Sequence, residues 1–206
     1  MKGIIAVGIR EGDELIGARL TDGNSEILLA SKKGKVMRCN EDQFRGMSRG
    51  ASGVKGITLE PEDDCVIGML TSNDENENIL VVSENGYGKR SDLCDYRKTN
   101  RGGKGVMTMK VTDKTGGIIA LTNVNDDEDL MIINRSGITI RMKISELRVM
   151  GRNTQGVKLI NLRGKDFIAS ITKVPTENEE EEANMSTETP TDNSDNEQIE
   201  TPTDNQ

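Results

Sequence analysis

LMIINRSGITIRMK, residues 130–143, reads as two short strands folded back across a tight turn at Ser136-Gly137. After the turn, apolar and polar residues alternate, with Ile138, Ile140 and Met142 on one face and Thr139, Arg141 and Lys143 on the other. A period of two is the mark of a strand in a sheet with one wet face, so Arg141 is expected to face solvent or a partner.

The same device recurs upstream. Gly34, Gly86 and Gly137 stand 52 and 51 residues apart, and Arg38, Arg90 and Arg141 follow them in register. The apolar runs before the turns repeat as ILLAS from Ile27, ILVVS from Ile79 and LMIIN from Leu130. Further along, RGMSRGASGVKGI (45–57), RKTNRGGKGVMTM (97–109) and RVMGRNTQGVKLI (148–160) align, with Gly53, Gly105 and Gly156 at the same two intervals. Agreement in several registers makes this a repeat protein, with units at about 12–60, 61–112 and 113–174. GIIAVGI from Gly3 resembles GVKGITL from Gly53 and is expected to be the end of an earlier unit.

Within a unit, short Ile, Val and Leu runs are punctuated by Gly, Asn and Asp, which is a β signal. The third unit reads as the strand IIALTNV, an acidic loop, LMIINR, the turn, ITIRMK, a long Arg-Gly loop and GVKLINL, about four strands per unit. ISELRVM from Ile144 has room for one short helical turn. Four-stranded repeats of this length predict blades, yet the chain has no Trp and only two Tyr and two Phe, which excludes the WD40 and kelch patterns.

Composition divides the chain after Val174. The last 32 residues hold eleven of the 35 acidic side chains and none of the 27 basic ones, so this tail is expected to be disordered. Residues 1–174 keep 27 basic against 24 acidic groups, a net charge of +3 where the whole chain carries −8. The tail could fold back on the basic body as a polyanion, and removing it should then tighten the binding of an anionic partner at low salt; unchanged affinity would sink that idea.

No apolar stretch is long enough for a membrane helix or a secretory signal, and the cytoplasm is the expected location. Cys39, Cys65 and Cys94 are odd in number and widely spaced, so they are read as reduced, packing residues rather than a disulfide framework or zinc site.

The residues then carry a resemblance. GDELIGARLTDG (12–23), ENGYGKR (84–90), YRKTNRGGKGV (96–106) and GRNTQGV (151–157) are similar to the C-terminal, DNA-wrapping domain of DNA gyrase A subunits. That resemblance implies an all-β β-pinwheel, a propeller-like array in which neighbouring blades exchange strands, here about three to three-and-a-half four-stranded blades over 1–174 followed by the acidic tail at 175–206. It implies double-stranded DNA as a partner, gripped through the phosphate backbone without sequence preference. It also implies the rest of the gyrase A subunit, together with the gyrase B subunit, as partners in the full ATP-dependent enzyme, and a bacterial, nucleoid-associated setting. The family's box QRRGGKG belongs to its first blade; the nearest match here, Asn100 to Gly105, falls in the second-to-last repeat and is by position a degenerate copy. The alternatives are the related C-terminal domain of topoisomerase IV, with fewer blades and no intact box, and a bladed protein-interaction scaffold. The scarcity of aromatic anchors speaks against the scaffold.

Charge sorting points the same way. The long loops concentrate cations among glycines: Arg45, Arg49 and Lys55; Arg97, Lys98, Arg101 and Lys104; Arg148, Arg152 and Lys158. Arg38, Lys89 with Arg90, and Arg141, which follow the hairpin turns, complete the expected DNA-binding set. Stacked blades would align such loops in a stripe that attracts phosphates by counterion release. The glycines are read chiefly as turn or bulge residues, and beside the cations they would also let backbone amides approach phosphates. The second loops, TDGNSE, SNDENEN and NVNDDED, are acidic or polar and are expected to be solvated; an EF-hand spacing is absent. RGGKG is not a phosphate loop, since Gly105 follows Lys104 where Ser or Thr would be needed.

No catalysis, metal or cofactor is expected. The chain has no His, and no Ser or Cys has a visible activating partner. In the resembled family strand cleavage uses a Tyr directly preceded by Arg in another domain; Tyr96 is instead followed by Arg97, and Tyr87 lies between glycines.

Overall fold

Strands form where the apolar runs and hairpin turns predict them. The computed structural model describes residues 3–176, and the acidic tail from Glu177 lies outside the described residues. The strands are β1 (Glu26–Ser31), β2 (Lys35–Asn40), β3 (Val66–Ser72), β4 (Asn78–Ser83), β5 (Tyr87–Asp92), β6 (Val106–Met107), β7 (Ile118–Val124), β8 (Glu128–Asn134), β9 (Thr139–Lys143), β10 (Val157–Lys158) and β11 (Ile168–Pro175). The hairpins β1–β2, β4–β5 and β8–β9 turn at Gly34, Gly86 and Gly137, whose φ values of 86°, 85° and 83° lie in the left-handed region that glycine tolerates best. Each second strand runs into one 3-10 turn, at Glu41–Gln43, Leu93–Asp95 and Ile144–Glu146, the last at the position read as a short helical turn.

Pairing is antiparallel and crosses between repeats. The first sheet is ordered β3-β1-β2-β6, the second β10-β5-β4-β7 and the third β11-β8-β9. In the first, β1 and β2 come from the first repeat while β3 and β6 come from the second, so neighbouring units exchange strands. GVMTM and GVKLINL give only two-residue strands, Val106–Met107 and Val157–Lys158, which bind the outer edges of β2 and β5. Among the described residues the third sheet has three strands where the repeat pattern predicts four, and β9 carries no strand on its outer side. Gly3 to Asn24 forms no regular strand and leaves Ile5 at 78% and Leu20 at 99% exposure.

The core lies between blades. Leu28, Ala30 and Val36 of the first sheet meet Ile79, Val81 and Ile118 of the second, with Leu93, Tyr96 and Met109 closing the cluster. Leu80 and Val82, on the other face of β4, meet Leu130, Ile132 and Ile168 of the third sheet. Consecutive residues of β4 thus serve two different cores, and each fully buried aliphatic side chain contributes about 1.5–3 kcal/mol.

Cys39 sits with Ile27, Met37 and Ile57 in a smaller cluster on the far face of the first sheet. Burial pushes its thiol up to about 11, the Asp42 carboxylate adding to the effect, while Cys65 and Cys94 are exposed. In a thiol-reagent titration at pH 8, Cys65 and Cys94 are expected to react at once and Cys39 only on unfolding. Three equally fast thiols would contradict this packing.

Candidate nucleic-acid interface

The cations singled out from the sequence fall into three physical groups. Arg38, Lys89 and Arg90 are buried, which corrects their assignment as DNA contacts: their donors serve the fold. Arg38 donates through Nε to the buried carboxylate of Glu26, and through Nη1 to the carbonyls of Leu93 and Tyr96 at 2.9 and 3.0 Å, around the 3-10 turn of the next blade. Arg90 repeats the arrangement with Asn78 at 3.0 Å, Asp126, and the carbonyl of Ile144 at 3.4 Å. Lys89 donates through Nζ to the carbonyls of Gly151, at 3.2 Å, and Arg152. Both faces of β2 and β5 are covered, the Met37 and Cys39 face of β2 by Ile57 and Phe44 of its own repeat, so the expectation of one wet face fails there.

The acidic loops are exposed as expected, Glu75 and Asp126 at 68% and 69%, and these two carboxylates also pair with Lys98 and Arg90. Lys98 also pairs with Glu26, and its hydrogen bonds to Glu26 and Glu75 hold its ammonium above the usual lysine range.

Lys89 is the reverse case. Burial, with the nearby Arg152 charge, lowers its pKa from 10.5 to about 8, while Asp95 opposes the shift. Between about pH 8 and 10.5 the unfolded chain therefore binds more protons at this site than the folded one, and stability from Lys89 rises with pH over that window. Below about pH 8 both states are charged and the contribution is flat. Urea unfolding should show wild type gaining up to about 3 kcal/mol on Lys89→Met across that window. A constant difference would mean that Lys89 is not desolvated.

Lys98, Arg101, Arg141 and Arg152 form the second group, held in place at the surface. Arg101 donates to the carbonyls of Gln43 (2.8 Å) and Lys55 (3.1 Å), and Arg152 to those of Asp95 (3.1 Å) and Met107 (2.6 Å), equivalent positions one repeat apart. Arg141 faces outward, as its strand alternation predicts, and donates to Asp129 at 2.7 Å and the Pro175 carbonyl at 3.0 Å. Neutral carbonyls leave the Arg101 charge uncompensated, so it still adds to the surface field.

The third group is exposed and makes no ion pair among the described residues: Arg45, Arg49, Lys55, Arg97, Lys104, Arg148 and Lys158. Within it Arg45, Arg97 and Arg148 hold one repeat position, two residues beyond each 3-10 turn. The residue before each is Phe44, Tyr96 or Leu147, packed against a core cluster or buried, and Tyr96 is tied further by a 2.6 Å bond between its hydroxyl and that of Thr108. An anchored apolar residue turns its successor outward, so each blade presents one arginine at the same place.

Gly105 and Gly156 serve strand packing rather than phosphate approach. A Cβ on them would lie 2.6 Å from the Val36 carbonyl oxygen and 2.5 Å from that of Gly88. Sequence reasoning also missed Lys114 over the Tyr87 ring at 5.3 Å and Arg135 over Phe167 at 5.7 Å. Their aromatic partners do not recur, since Lys35 and Ile138 hold the Tyr87 position and Gly116 that of Phe167, so no periodic signal marks these contacts.

A family model described as the DNA gyrase C-terminal domain, beta-propeller, matches residues 2–22, 25–73, 77–125 and 128–175, one block after another along the repeats. This chain belongs to the DNA gyrase A C-terminal domain family. The DNA gyrase A protein of Staphylococcus epidermidis is 42% identical over 178 residues, 86% of this chain and 20% of that protein. Its counterpart in Staphylococcus aureus strain MRSA252 is 42% identical over 189 residues, 89% of this chain and 21% of that protein. The chain therefore spans about a fifth of the length of these gyrase A relatives. A solved DNA gyrase A C-terminal domain superposes with a TM-score of 0.75 at 27% identity, covering 83% of this chain and 58% of the other. The C-terminal domain of a DNA topoisomerase IV has a TM-score of 0.78 at 21% identity, covering 89% and 57%, a likeness of fold. The gyrase A domain is thus the all-β, strand-exchanging, propeller-like array implied by its motifs. Among the described residues no helix is long and apolar enough to cross a membrane.

Proposed function

We propose that this chain is a non-catalytic module that binds and bends double-stranded DNA within a gyrase-type topoisomerase, gripping the phosphate backbone without reading bases. The observation that carries the reading is the alignment of Arg45, Arg97 and Arg148, exposed at one repeat position with no ion pair among the described residues. Lys55, Lys104 and Lys158 add charge from the same loops. A cationic row running from blade to blade favours bent DNA, and bending a site of about 20–30 bp by 40–90° costs on the order of 1–6 kcal/mol. Several blades must therefore act together to offset it. In the full enzyme the module would work beside the rest of gyrase A, together with gyrase B, presenting the bent duplex to a cleavage site carried elsewhere.

The test is a titration of a labelled duplex of about 30 bp at several salt concentrations. The expected result is binding indifferent to sequence, with log K falling by about 0.9 per contacted phosphate for each tenfold rise in salt. Absence of binding at low salt, or a strong preference among duplexes, would refute it.

A further inference from the structure

The loops that carry Arg97 and Arg148 are bound to the blade before them at equivalent points. In the second repeat Thr99 N donates to the Arg38 carbonyl at 2.8 Å, Arg101 N to the Gln43 side-chain oxygen at 2.7 Å, and the Arg101 guanidinium to the carbonyls of Gln43 and Lys55. In the third, Met150 N donates to the Arg90 carbonyl at 2.8 Å, Arg152 N to the Asp95 carboxylate at 3.2 Å, and the Arg152 guanidinium to the carbonyls of Asp95 and Met107. Every acceptor belongs to the preceding repeat, and each group stands 51 or 52 residues from its counterpart.

These bonds join successive members of the arginine row. Gln43 and Asp95 lie two residues before Arg45 and Arg97, while Arg101 and Arg152 lie four residues after Arg97 and Arg148. The Arg101 guanidinium therefore ties the loop of Arg97 to the backbone beside Arg45, and that of Arg152 ties the loop of Arg148 to the backbone beside Arg97. Between row arginine and clamp, the bonds of Thr99 and Met150 hold the loop to β2 and β5, so each span is pinned along its length. The junctions otherwise differ. Thr58 adds bonds to the Gly103 and Gly102 carbonyls at the first, through its N at 2.8 Å and its hydroxyl at 2.6 Å, whereas Lys89 reaches Gly151 and Arg152 at the second. The arginine clamp is the part that recurs.

Resting on the reading of this chain as a DNA-bending module, we propose that Arg101 and Arg152 are positioning residues that set the spacing of the arginine row and, through it, the bend of the duplex. A planar guanidinium that holds two carbonyls of the preceding blade fixes an angle as well as a distance, and a lysine ammonium has no such fork. Rigid spacing matters because a duplex resists bending, so a row free to splay would relax toward straight DNA.

The test keeps the charge and removes the fork. Wild type, Arg101→Lys, Arg152→Lys and the double variant, each as the whole chain with its fold checked by circular dichroism, are added to a duplex of about 30 bp carrying donor and acceptor dyes at its ends. Shared between two junctions, a bend of about 40–90° is roughly 20–45° at each. Energy transfer at saturating protein is expected to report a bend smaller by roughly 10–20° in each single variant, about half of one junction's share, and by both losses in the double variant. The slope of log K against log salt should stay within about 0.9 of wild type, one phosphate contact, because lysine keeps each charge. A merely structural role would lower the melting temperature and leave the bend of the folded, saturated complex unchanged. Variants that bend the duplex as far as wild type overturn this inference alone. So does a folded variant that no longer binds, since Arg101 and Arg152 would then grip phosphates themselves. A wild-type complex whose duplex stays straight overturns both the inference and the bending on which it rests.

Discussion

Arg38→Ala is expected to lower the unfolding free energy by about 3–5 kcal/mol, the range for breaking a buried ion pair by removing one partner. The arginine side chain is 4% exposed and Glu26 is 11% exposed, so water cannot take over the guanidinium's role. Its loss strips Glu26 of its Arg38 partner, leaving only the half-exposed Lys98, and leaves the Leu93 and Tyr96 carbonyls short of a donor. Because those carbonyls belong to the next blade, the change loosens a junction as well as a strand. Lysine would restore the charge but not the fork that reaches three acceptors in two blades. Arg141→Ala makes the contrast: its side chain is 33% exposed, so water can take over part of its role at the buried Asp129, and it should lose less than Arg38→Ala. Urea unfolding followed by circular dichroism measures both, and a loss below about 1 kcal/mol for Arg38→Ala would mean that the pair is solvated in practice.

That contrast also explains how far the sequence can be read. Period, hairpins and strand positions are legible because Gly34, Gly86 and Gly137 and the apolar runs before them recur at fixed intervals, and local turn chemistry dictates local structure. The alternation in ITIRMK places Arg141 correctly, because among the described residues β9 is covered on one face only, giving exposed and half-buried residues in turn. The arginines of β2 and β5 hold the same register after their turns, but KVMRCN and YGKRSD lack the clean alternation of ITIRMK, and a following blade covers the face that carries the arginine. The pairing of the acidic loops escapes the sequence for the same reason: Glu75 and Asp126 lie 37 and 36 positions from Arg38 and Arg90, and only the stacking of blades brings them together. In the long loops, composition marks every cation equally. Separating Arg101 and Arg152 from Arg97 and Arg148 requires the Gln43, Lys55, Asp95 and Met107 carbonyls to be located in space.

Changing Arg45, Arg97 and Arg148 together to Gln is expected to weaken duplex binding about 10²- to 10³-fold near 0.1 M salt and to flatten the salt dependence by about 2.7 log units per decade. Each of the three is taken to neutralise one phosphate, so each removes about 0.9 from the slope, and the affinity loss follows from counterions no longer released. Stability should be nearly unchanged, because none of the three side chains makes an ion pair among the described residues. Net charge alone falls just as far in a matched variant with Lys114, Arg163 and Lys165 changed to Gln. Those residues border the hairpin turns: Asn85 bonds the Lys114 carbonyl, and Ser136 bonds Asp166. The arginine row lies past the opposite ends of β2, β5 and β9, one strand length or about 20 Å away. A duplex gripped along the arginine row should lose less than about tenfold affinity in the matched variant. Equal losses in the two variants would mean that DNA responds to total charge, and the arginine row would then carry no special part of the grip.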